Sequence, residues 1–291
     1  MKKNIKIALL MCVVLQFSQY SSQAQLSIAN TQFKTLKAAF AHRDEATWLD
    51  LSNQGLVELP DSLFALKNLQ YLNLDKNQIE LIPAKIADLK KLKYLVLSYN
   101  EIKQLPIELK GLTVLQSLYL DHNKNLEIDQ AIIVLAELPA LKMLSLAGDN
   151  ISVVPQSITK VKKLETLDFS ENLISYLPEN ISELRKLKVL YINNDAYFNL
   201  EKNIRLIGKI KNLTELHVEN DGITAVPPNI KELKRVEYLF LVGNKINSLP
   251  PEINQMKHLR YLDVSDNPLP PSLDPNSPLD PKLVIRLNKR N

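Results

Sequence analysis

Cysteine is almost missing from this 291-residue chain, and the single one, Cys12, lies within the first 24 residues. That segment reads as a removable leader, so the mature chain is expected to carry no thiol. Disulfide frameworks, cysteine zinc sites and cysteine nucleophiles are thereby excluded together. Glycine is scarce as well, at 6 residues, which leaves little material for a phosphate-cradling loop. A basic excess is also lacking. Lys plus Arg number 36 against 32 Asp plus Glu, and removal of Lys2, Lys3 and Lys6 with the leader lowers the net charge from +4 to +1. A chain this close to neutral lacks the charge that drives phosphate-backbone binding, so nucleic acid is not an expected partner. With 45% hydrophobic and 23% charged residues, the chain can nevertheless bury a large core.

The leader, residues 1–24, has three parts. Lys2, Lys3 and Lys6 form a positive region, Ile7 to Phe17 is an apolar run broken only by Gln16, and Ser22-Gln23-Ala24 offers small residues at a cleavage site. The run is about 11 residues where a membrane-spanning helix needs roughly 20, which favours cleavage near Ala24 over a retained anchor. Acylation at Cys12 is disfavoured by the bulky Met11 before it. The expectation is an exported protein, periplasmic, surface-bound or extracellular, with no stable membrane insertion after cleavage.

The remainder is periodic. Leu49, Leu72, Leu95, Leu118, Leu144, Leu167, Leu190, Leu216, Leu239 and Leu262 each open a similar unit, with spacings of 23 residues except for two of 26. One unit reads Leu69-x-x-Leu72-x-Leu74-x-x-Asn77-x-Ile79, followed by Ile82-Pro83, Ile86 and Leu89. Over residues 46–270 this resembles the leucine-rich repeat family in its 23-residue Leu-Pro class, as found in exported bacterial proteins. The resemblance implies an α/β solenoid: a horseshoe of ten repeats with a parallel β-sheet on its concave face.

The residues fit that architecture for physical reasons. The Leu-x-Leu alternation suits a short strand with two side chains directed inward. Five residues after each first leucine stands Gln54, Asn77, Asn100, Asn123, Asp149, Asn172, Asp195, Asp221, Asn244 or Asn267. In the family this column is a buried ladder satisfying backbone groups, a task for an amide that both donates and accepts. Ionised aspartates can only accept, so distortion is expected at those three turns. Every complete 23-residue unit has proline eleven residues after its first leucine, which suits an extended convex segment. The two longer units have Asp129 and Glu201 there instead, and residues 129–137 and 201–210 are expected to be helices.

The ends should be capped, because a solenoid otherwise leaves core in water. Residues 25–45 are assigned to an N-terminal helical cap, with Phe33, Leu36, Ala39 and Phe40 at helical spacing. Residues 271–291 form a proline-rich C-terminal tail in which Leu283 to Leu287 completes the cap.

Residues one before, one after and three after each first leucine should face outward from the sheet. Those thirty positions contain no Lys or Arg, seven acids and eight of the chain's eighteen aromatics. The candidate ligand-binding residues are Trp48, Asp50, Tyr71, Asp75, Tyr94, Tyr119, Asp121, Tyr191, Glu215, His217, Glu219, Tyr238, Phe240, Tyr261 and Asp263. Two clusters stand out: Tyr71, Tyr94 and Tyr119 with Asp75 and Asp121, and Tyr238, Phe240 and Tyr261 with Asp263. The middle units, with Ser145, Ala147 and Ser170, look small and featureless. Tyrosines supply rigid amphipathic contact area, and the acids select a partner with a basic surface. The bland alternative is that aromatics simply suit strand surfaces.

Other constellations carry less. His42-Arg43-Asp44 matches the opening of a kinase catalytic loop without its companions. Glu215, His217 and Glu219 alternate on one strand face and could approach a metal, but an exposed polar strand is commoner, so no metal or cofactor is expected. Asp75 and Asp121 as a glycosidase-like pair would lie on an open surface. No catalytic residue is assigned. The expected function is non-enzymatic recognition of a protein or peptide. The alternatives are a polysaccharide-binding or adhesion protein of the cell envelope and, if the chain is not exported, a signalling scaffold for small GTPases of the kind the resemblance implies.

Overall fold

The computed structural model describes residues 32–270 and 283–287. The leader, its cleavage site and most of the proline-rich tail lie outside the described residues. Twelve strands form one open sheet, all parallel and ordered as in the sequence. β1 is Gln32–Phe33, and the ten repeat strands follow as β2 Trp48–Asp50, β3 Tyr71–Asn73, β4 Tyr94–Val96, β5 Ser117–Tyr119, β6 Met143–Ser145, β7 Thr166–Asp168, β8 Val189–Tyr191, β9 Glu215–His217, β10 Tyr238–Phe240 and β11 Tyr261–Asp263. β12, Val284–Arg286, closes the series.

Register follows the leucines, for Leu49 pairs with Leu72, Leu72 with Leu95, and so on to Leu239 with Leu262. This pairing stacks like on like, so each unit completes the apolar layer begun by the one before it. The first leucines and the second inward positions, among them Leu74, Leu97 and Phe169, are fully buried in one continuous core.

The return segments obey the proline pattern with one addition. Pro60, Pro83, Pro106, Pro155, Pro227 and Pro250 hold extended backbone, with φ from −68° to −76°, and a five-residue 3-10 helix follows each. Proline suits this position because its φ is preset and its missing N–H lies where a helix start needs no partner. After Pro178 the 3-10 turn is only Ile181–Glu183. The longer units carry α-helices as expected, α2 at Ile128–Leu135 and α3 at Leu200–Ile207.

The asparagine ladder is formed. Asn100 donates through Nδ2 to the carbonyls of Leu74 and Leu97 at 2.9 and 3.0 Å, while Asn77 accepts from the amides of Gln54 and Leu56. Gln54 is the exception: it is exposed and donates to the Lys34 carbonyl. Asp149, Asp195 and Asp221 each accept from a backbone amide, at 2.7, 2.8 and 2.6 Å, but their other carboxyl oxygens are buried without a hydrogen-bond partner. Asp149 and Asp221 are each followed by a left-handed residue, Asn150 and Gly222, as Gln54 is by Gly55.

Residues 25–31 of the N-terminal cap lie outside the described residues, and its described part, 32–45, is part strand and part helix. Phe33 sits in β1, paired with β2, instead of on the helix, which is α1, Leu36–Ala41, capped by Thr35 Oγ1 on the Ala38 amide. Two-residue spacing in the sheet has taken Phe33, so Ala39 and Leu36 meet the core while Phe40 stays 42% exposed. At the other end β12 continues the sheet in register with β11.

Candidate binding face

The three outward columns lie side by side on the sheet because the strands pair in register. Many of their members, however, cover one another. Trp48, Tyr71, Glu215, His217, Glu219, Phe240, Tyr261 and Asp263 are buried, so the expectation that they stand open to a partner is corrected. Rings about one strand spacing apart stack in preference to projecting. Trp48 and Tyr71 lie 4.9 Å apart and nearly parallel, and Tyr94 leans on Tyr71 at 6.4 Å. Tyr71 is pushed up to about 12 by burial and by the charges of Asp50 and Asp75. Asp50, Asp75, Tyr94, Tyr119, Asp121, Tyr191 and Tyr238 remain half-buried and form the accessible part of the face.

Of the second cluster, Phe240 and Tyr261 join a continuous stack with Tyr191 and His217 in place of Tyr238: Tyr191, His217 and Phe240 have centroids 4.1 Å apart in succession, and Tyr261 follows Phe240 at 5.5 Å. His217 sits between two carboxylates. Its Nε2 lies 2.7 Å from Glu215 Oε1 and its Nδ1 2.9 Å from Glu219 Oε1. Both nitrogens can donate at once only in the imidazolium form. Desolvation opposes that charge, but the hydrogen bonds and charges of Glu215 and Glu219 outweigh it and raise the pKa. Among the described residues no histidine, aspartate and glutamate group has the arrangement of a metal site. Asp263 is buried beside Ser265, and Arg286 of β12 approaches it at 3.9 Å, which brings one cation onto the end of the face.

Asp121 is a brace as well as a surface acid, since Ser98 and Ser145 donate to its two oxygens and the Ala147 amide adds a third bond. Asp75 and Asp121 are therefore not a free carboxylate pair. Burial, together with Asp121 and Asp50, raises Asp75, with Lys76 opposing. Asp168 is raised to about 6, chiefly by burial, with Asp121 adding to the shift against the Ser170 hydrogen bonds. Negative charge on this face is thus crowded. His42, at the end of α1, stacks on Phe33 at 5.8 Å and belongs to the cap.

The small middle units are not featureless. Ser117, Met143, Thr166 and Val189 line a depression of about 300 Å³ flanked by Tyr94, Tyr119 and Tyr191. Gln116, Lys142, Glu165, Lys188 and Glu215 complete it, and Glu165 ties the two lysines at 3.3 and 2.6 Å. Apart from Glu215 and the tyrosines, these residues were not singled out in the sequence, because a hollow is made by side chains smaller than their neighbours. The row Lys76, Tyr99, His122 and Glu171 was also missed. Lys76 lies 5.5 Å over the Tyr99 ring, Tyr99 stacks on His122 at 4.1 Å, and His122 reaches Glu171 at 3.6 Å. Its sequence signal is the residue just before the ladder, where Asn and Gly recur and φ is positive throughout.

Family models for the leucine-rich repeat match residues 44–95, 83–124 and 211–269, and a leucine-rich repeat region model matches 129–221. The chain belongs to the leucine-rich repeat family. No curated protein matches it. Among solved structures, the ectodomain of the Arabidopsis thaliana receptor kinase GASSHO1/SCHENGEN3 in complex with CASPARIAN STRIP INTEGRITY FACTOR 2 is 28% identical, with a TM-score of 0.48, over 73% of this chain and 26% of that one. A Leptospira interrogans leucine-rich repeat protein is 24% identical, with a TM-score of 0.42, over 88% of this chain and all of that one. TLR13 in its complex with ssRNA13 is 20% identical, with a TM-score of 0.57, over 82% of this chain and 42% of that one, and it shows the shared fold. Leucine-rich repeat domains generally mediate protein-protein recognition, and the fold is typically a non-enzymatic binding scaffold. Among the described residues no helix is long and apolar enough to cross a membrane.

Proposed function

We propose that this leucine-rich repeat protein is an exported, non-enzymatic recognition module that binds a polypeptide with a basic surface across the tyrosines and carboxylates of its sheet face. The observation that carries this reading is electrostatic. The thirty outward positions of the repeat strands hold no Lys or Arg, and the acids Asp50, Asp75 and Asp121 crowd the accessible part of the face. A basic partner relieves that crowding, while a phosphate backbone meets repulsion. Support for export lies in the leader pattern of residues 1–24. The face offers ten repeat strands at about 4.8 Å spacing, a length of roughly 45 Å that suits an extended peptide or a domain edge.

The test is capture from extracts of the cells that make the protein, with the wild type beside a variant in which Tyr94, Tyr119 and Tyr238 are alanine. Tyr71 is left intact because it stacks on Trp48. A discrete polypeptide retained by the first and lost by the folded second supports the reading. Retention by both, or displacement by soluble glycans, counts against it. Mass measurement of the chain recovered from the producing cells and their medium checks the leader: a first residue near Gln25 is expected, and an intact Met1 found only inside the cells would contradict export.

A further inference from the structure

The geometry of the buried triad on β9 fixes how many protons it holds. His217 Nε2 lies 2.7 Å from Glu215 Oε1, and Nδ1 lies 2.9 Å from Glu219 Oε1. Each contact needs a proton, because a nitrogen lone pair set against a carboxylate at that distance is repulsive. Two contacts therefore hold two protons, whether the imidazole or a carboxyl is written as the owner. Loss of one proton leaves one contact bare.

The ring is not what moves in response. Tyr191 of β8 and Phe240 of β10 lie against its two faces, each at 4.1 Å between centroids and within 22° of parallel. A carboxylate has to move instead, and the two glutamates differ in the room they have. Glu215 lines the central depression, whereas Glu219 is not among its lining residues. Lys142, Lys188 and Glu165 line the same depression and pair with one another. While His217 holds Glu215, the groups left to face the depression carry one surplus positive charge.

The surroundings of the triad add few other titrating groups. Tyr191 pairs with His217 from β8, and Tyr238 and Phe240 stand opposite Glu215 and His217 on β10. Asp263 of β11 lies beyond Phe240, and Arg286 approaches it at 3.9 Å. Asp168 of β7 interacts with the charge of His217 and is itself raised to about 6, chiefly by burial. Desolvation opposes the charge on His217, but the hydrogen bonds and charges of Glu215 and Glu219 raise it above its ordinary 6.5. The two-proton state therefore prevails at pH 6.5 and is lost as pH rises.

We propose that the triad is a proton-operated latch: two protons hold Glu215 against His217, and loss of one frees its carboxylate into the central depression, cancelling the surplus positive charge there. The latch belongs to the chain alone and goes beyond the polypeptide reading, which the capture experiment tests separately.

The experiment follows the purified protein, labelled with 15N and 13C, by NMR from about pH 5.5 to about 9.5, a range that spans an ordinary and a raised histidine. At low pH both ring nitrogens of His217 should show the imidazolium pattern. As pH rises one of them should pass to the unprotonated position, and the Glu215 carboxyl and Val189 amide should shift with the same midpoint. Asp168→Asn should keep this common step, because the neighbouring acid is not its source. Glu215→Gln places an amide donor against the bare nitrogen, so the His217 midpoint should fall by about one unit or more. A His217 step that leaves the Glu215 carboxyl and Val189 amide unmoved would overturn the latch. So would a common step lost in folded Asp168→Asn protein, or a ring that keeps both protons until the chain unfolds. These outcomes are read without Glu215→Gln, so the proposal stays exposed to test even if that variant does not fold.

Discussion

Asp149 and Asp221 occupy places where neighbouring units use asparagine, and burial pushes both up to about 8. Each keeps a second carboxyl oxygen buried without a hydrogen-bond partner, where asparagine would place an amide donor. The unfolded groups titrate near their ordinary value of 3.8. Their contribution to stability is therefore complete below about pH 4 and is lost as pH rises toward 8, because unfolding releases protons across that window. Asp149→Asn and Asp221→Asn should each stabilise the protein by about 1–2 kcal/mol at pH 8 and have less effect at pH 4, measured by urea denaturation. His217→Ala should cost about 3 kcal/mol near neutrality, since it leaves Glu215 and Glu219 buried without their shared cation. Its raised pKa means that His217 supports the fold below its ordinary value of 6.5 and loses that role as pH rises through the folded value. The ladder column was legible because its spacing is fixed by the period. Its protonation was not, because depth of burial depends on what the next unit stacks above it.

Elements were legible where local chemistry sets them. The leucine pairs placed the ten repeat strands, and the missing prolines at 129 and 201 announced α2 and α3. What escaped was set by neighbours in space: Phe33 joined the sheet because β2 offers a pairing edge, and the residue before each ladder position took positive φ. Gly148 shows the consequence. Its φ is +70°, and a Cβ there would strike the His122 ring, whereas Gly222 at +72° has open space. Gly222→Ala should therefore cost about 1 kcal/mol for conformation alone, and Gly148→Ala about 1 kcal/mol more, recovered in part by combining it with His122→Ala. Thermal unfolding of the three variants checks the order.

For the molecule as a whole, the period announced the fold, but the division of the face into covered and accessible residues came from stacking across strands. Trp48, Tyr71, Phe240 and Asp263 belong to the structure of the face, while Tyr94, Tyr119, Tyr191 and Tyr238 border what a partner can reach. A hollow among small residues, flanked by tyrosines, is invisible to a reading that weighs residues by size. The most direct test of sheet-face recognition places a photo-reactive phenylalanine derivative at Tyr94 in one protein and at Val153, which is 74% exposed and lies outside the sheet, in another. Irradiation in the native extract should join a discrete polypeptide to the Tyr94 position and none to the Val153 position. A polypeptide joined at Val153 alone, or at neither position, would contradict the account.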